Sequence, residues 1–68
     1  MTTTDRITAA RNAITAADRA LDRFAMASSR PGRDRSPEQA ARDAAHGEKL
    51  LAACVAADVE LRAALATA

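Results

Sequence analysis

Apolar residues recur at Ile7, Ala10, Ile14, Ala17, Leu21 and Phe24. The steps between them alternate between three and four residues, which is the signature of a heptad seam. Ile7, Ile14 and Leu21 take one core position, and Ala10, Ala17 and Phe24 take the other. A chain with this pattern must lay a helix along another helix. The fold class that follows is all-α, an antiparallel two-helix hairpin, with a homodimeric four-helix bundle as the expected assembly.

The local signals place the boundaries within one helical domain covering residues 1–68. After a frayed lead-in from Met1 to Thr4, Thr3 or Thr4 is the expected cap of a first helix over about 4–27, with Asp5 in its positive first turn. Residues 28–36 form a basic linker in which Pro31-Gly32 cannot continue a helix. Ser36-Pro37-Glu38-Gln39 restarts one. Serine is the cap, proline suits the first helical position, and Gln39 is expected to reach back in a capping box. The second helix should run over about 37–65.

Gly47 interrupts that helix with a residue that costs about 1 kcal/mol against alanine. A stop there would give three helices. Close packing of two helices explains the glycine better. Folding back evenly across the linker sets Ala17 against Gly47, Ala10 against Cys54, Ile14 against Leu50 and Phe24 against Ala40. The facing stripe of the second helix is then Leu50, Cys54, Ala57, Leu61 and Leu65. Asp58 falls inside that apolar face, and the same counting sets it opposite Arg6. An Arg6–Asp58 pair would fix register more than add stability.

A second stripe, Leu51, Val55 and Val59, remains beside the first. An apolar arc this wide is covered on two sides. The first helix covers one, so Leu51, Val55 and Val59 are expected to meet another molecule. Composition adds to this expectation. The hydrophobic content is 49%, but much of it is alanine, with one Phe and no Trp or Tyr. A chain of this length buries only about 60% of its unfolded surface. A lone hairpin with so small a core should be weak.

Other functions find little to work with. His46 and Cys54 are the only soft metal ligands, too few for a structural zinc site. No nucleophile–base pair and no glycine-rich phosphate loop is present, so no enzymatic activity and no cofactor is expected. The single Cys excludes an internal disulfide. Residues 1–15 lack the apolar run of a secretory leader, and no segment reaches the length of a membrane span. A cytoplasmic location is expected. Arg outnumbers Lys nine to one, as in high-GC bacteria and their phages.

Net charge is only +1, so no global field draws the chain to nucleic acid. Arg30, Arg33 and Arg35 in the linker are candidate phosphate contacts. The function expected from these features is that of a small non-enzymatic protein–protein interaction module. It would associate with itself, dock on a partner helix, or both, as a regulatory or phage-type accessory protein would. A nucleic-acid accessory using the linker arginines is the alternative.

Overall fold

A computed structural model describes residues 2–68; Met1, part of the expected lead-in, lies outside them. Two helices, α1 (Thr3–Ser28) and α2 (Pro37–Ala66), pack against each other as a hairpin, with no strand among the described residues. The hairpin measures 48 × 17 × 15 Å. Its long dimension is that of α2 itself, because a 30-residue helix spans about 45 Å.

The cap of α1 is Thr2 rather than Thr3 or Thr4. The reason lies three residues on. Asp5 N–H donates to Thr2 Oγ1 at 3.1 Å, and Thr2 N–H donates to Asp5 Oδ2 at 3.2 Å. A cap at Thr3 or Thr4 would place Arg6 or Ile7 at the reciprocal position, and neither can accept a hydrogen bond. Ser36 does cap α2, accepting from Gln39 N–H at 3.2 Å. The return bond comes from outside the helix: Ser36 N–H donates to Asp34 Oδ1 at 3.0 Å. Gln39 points forward instead and donates to Asp43 Oδ1 at 2.9 Å.

α2 runs unbroken through Gly47. The glycine meets Phe24: a Cβ placed there would lie 3.3 Å from Phe24 Cε2. Phe24, not Ala17, is therefore the residue that stands against Gly47, a slide of one heptad from the register expected by even counting. Ala40, the expected neighbour of Phe24, is exposed. The slide goes with an asymmetric linker. Even counting assumes a loop that bulges symmetrically. Here Arg33 folds back to bind Asp43 at 2.7 Å, so the linker leans on the start of α2.

The seam of α1 is formed as its spacing requires. Ala10 is buried, and Ile7, Ile14, Ala17, Leu21 and Phe24 are half-buried. On α2 the inward residues are Gly47, Leu50, Cys54, Ala57, Leu61 and Ala64. Ala64 replaces Leu65, which is 48% exposed. It follows Ala57 by one heptad and points at α1, whereas Leu65 stands about 100° further round the helix. The only buried apolar residues among those described are Ala10, Ala57 and Ala64.

Candidate interaction surface

Three side chains of α2 stand out on the hairpin. Leu51, Val55 and Val59 are 53%, 63% and 58% exposed. Four-residue steps place them in one strip that winds gradually round α2, on the side away from the buried Ala57 and Ala64. The helix backbone fixes this division. Heptad steps from Leu50 keep Ala57 and Ala64 turned inward, so Leu51 and the residues that follow it at four-residue steps turn outward. Nothing in the hairpin covers them. Met26, 75% exposed near the end of α1, is a separate apolar side chain.

Polar flanks border the strip. Arg62 Nε lies 3.0 Å from Asp58 Oδ2, one turn back on the same helix. Asp58 is thus held by Arg62, and the expected Arg6–Asp58 pair does not form. Arg6 reaches Glu60 instead, with Nη2 2.9 Å from Oε1. Glu60 lies on the flank facing the long Arg6 side chain. Both members are exposed, so the pair adds little to stability but does join the helix ends. Glu48, also exposed, makes no ion pair among the described residues.

The three linker arginines do not act as one group. Arg33 is committed to Asp43 and is half-buried, while Arg30 and Arg35 stay exposed. Gln39 holds the Asp43 carboxyl below its ordinary range by hydrogen bonding, against an opposing desolvation, with Arg33 adding a hydrogen bond and charge and His46 adding charge. Arg33 Nε and, at the end of α1, Ser28 Oγ are buried without a hydrogen-bond partner among the described residues. An open cleft beside the Arg33–Asp43 clasp is lined by Phe24, Arg33, Arg42, Asp43 and His46. The clasp structures the linker and engages Arg33, one of the three candidate phosphate contacts, with Asp43.

His46 and Cys54 go to different neighbours. His46 stands edge-on to Phe24, with ring centroids 5.0 Å apart. Cys54 Sγ donates weakly to Asp18 Oδ1 at 3.8 Å. Desolvation first, and the Asp18 carboxylate second, push its thiol above the ordinary range. Such a thiol carries little reactive thiolate. Among the described residues no three His, Cys, Asp or Glu side chains gather as metal ligands would. No helix is long and apolar enough to cross a membrane.

Fold and surface together define a class: an all-helical hairpin with an alanine-lined seam and an uncovered aliphatic strip. No protein family, curated protein or solved structure matches the chain.

Proposed function

We propose that the chain is a small, non-enzymatic helical interaction module that completes itself by association as a homodimer. Its four helices are joined through α2 on the side away from α1, and so set in a row rather than in the closed four-helix bundle that spacing alone suggested. The exposed strip of Leu51, Val55 and Val59 carries this reading. Area supports it independently. The hairpin exposes 5047 Å². A compact monomer of 7.1 kDa exposes about 4,100 Å², so roughly 1,000 Å² is in excess. A standard interface removes about 800 Å² from each partner. One further copy is thus enough to cover the surplus.

The nucleic-acid reading keeps only Arg30 and Arg35 as exposed linker cations outside any ion pair among the described residues. Two cations supply little of the polyvalent phosphate contact on which such binding rests. Sedimentation across the micromolar range tests the proposal. A mass that rises to twice the chain mass with concentration is the expected result. A folded monomer at every concentration overturns it.

A further inference from the structure

The strip on α2 has a symmetry of its own. Counted outward from Val55, Leu51 lies four residues before and Val59 four residues after. Glu48 lies seven before and Arg62 seven after. Eleven residues out on either side stand Ala44 and Ala66. All these positions fall within a narrow arc of the helix, because steps of four, seven and eleven residues return to nearly the same face. All of them are exposed. Leucine matches valine, alanine matches alanine, and the acid matches a base.

We infer that α2 is a self-complementary docking face whose occupant is a second, antiparallel copy of α2, with the two-fold axis passing beside Val55. This rests on the self-association proposed above and adds its register. The two Val55 side chains then meet at the axis. Leu51 lies level with the partner's Val59 on both sides of it. Beyond them Glu48 lies level with the partner's Arg62, twice per dimer. An isologous interface requires this kind of pattern, since each residue must suit the residue that its own symmetry mate brings to it. A parallel pairing would instead set Glu48 against the partner's Glu48 and Arg62 against the partner's Arg62. The charges therefore select orientation as well as location.

The hairpin leaves both charges available. Glu48 makes no ion pair among the described residues. Arg62 contacts Asp58 through Nε, and its side chain is 79% exposed, so its terminal nitrogens remain free to bind a second carboxylate. The alanines at the ends allow the two helices to approach without collision, and the aliphatic centre supplies the apolar contact.

Charge reversal tests the register. Glu48→Arg and Arg62→Glu are each expected to weaken the dimer about tenfold, because each turns two attractive pairs into repulsive ones. Mixing the two variants should restore association, since every Arg then meets a Glu across the axis. Circular dichroism on each variant separates this from loss of helix, and the recovery on mixing cannot come from a purely local effect. A second measurement uses thiols in a Cys54→Ala background. Val55→Cys should form a disulfide-linked dimer under oxidation, whereas Leu51→Cys alone should not. If the wild type dimerises but neither reversal weakens it, or if Leu51→Cys cross-links as readily as Val55→Cys, the antiparallel register is wrong and self-association stands. If the wild type remains a folded monomer, both fall.

Discussion

The two faces of α2 are built from opposite materials. Toward α1 the residues that are fully covered are alanines, Ala57 and Ala64, with Leu50, Cys54 and Leu61 half-buried around them. Away from α1 stand Leu51, Val55 and Val59, each more than half exposed. Covering a Val or Leu fully is worth about 1.5–3 kcal/mol, and an alanine methyl only a fraction of that. The hairpin thus buries its smallest apolar groups and displays some of its largest. Small inner residues let the helix backbones approach closely, while the contact energy that a larger core would supply stays on the outside.

The sharpest way to break that comparison is to put one charge on each face. Ile14→Asp places a carboxylate in the α1 seam against the inner face of α2. The expected cost is about 3 kcal/mol or more, enough to unfold a hairpin with so small a core. Helical ellipticity should collapse. Val55→Asp places the same charge on the outer strip, where 63% exposure leaves the carboxylate solvated in the single hairpin. Helix content should largely survive while light scattering reports loss of the dimer. Two such carboxylates would meet at the axis, and a weakening of about 100-fold is expected. If Val55→Asp unfolds the chain and Ile14→Asp only dissociates it, the faces have been assigned the wrong way round.

How much of this was legible beforehand follows from which forces are local. The seam from Ile7 to Phe24, the Ser36 cap and the exposed strip could all be read from spacing, because helix periodicity and capping depend on residues within one turn or a few. Register could not. A heptad seam repeats every seven residues, so spacing alone leaves a one-heptad slide open, and the linker's fold back onto α2, with Arg33 on Asp43, is a contact that no periodic pattern encodes. With the linker folded back in this way, Phe24 stands at Gly47, one heptad from even counting, and Ala40 is exposed. The replacement of Arg6–Asp58 by Arg6–Glu60 has a different origin. Asp58 has Arg62 one turn away on its own helix, and this local pair engages its carboxylate without any partner across the hairpin. Leu65 follows Leu61 by a four-residue step, whereas the heptad step from Ala57 leads to Ala64.

A smaller test concerns close approach on the inner face. Gly47→Ala would set a methyl 3.3 Å from Phe24 Cε2. That is tight, but Phe24 is half-buried and its ring leans on the exposed His46, so it can move by a few tenths of an ångström. Against this stands a gain in helix propensity of about 1 kcal/mol. The expected net effect is stabilisation by about 0.5 kcal/mol, read as a small rise in the thermal midpoint. A fall in the midpoint would show that Phe24 is held rigidly, and that the glycine is required by the inner face.

The smallest effect belongs to the linker clasp, which belongs to neither face. Asp43 has its carboxyl held below the ordinary value of 3.8, chiefly by Gln39 and with help from Arg33. A carboxylate whose folded value is depressed stabilises the fold above its unfolded value, and this contribution disappears as pH falls through the folded one. Acidification from pH 7 should therefore leave the clasp intact until below about pH 4, then release it. The informative quantity is the difference between the wild type and Asp43→Asn. The variant should melt slightly lower at pH 7, and the gap should close as pH falls through the depressed folded value of Asp43. Because the clasp sits at the loop end, far along the helix from Val55, the dimer should be indifferent to it. If Asp43→Asn dissociated the dimer as Val55→Asp is expected to, the linker would have to be counted as part of the outer interface, and the division of α2 into a structural face and an associating face would fail.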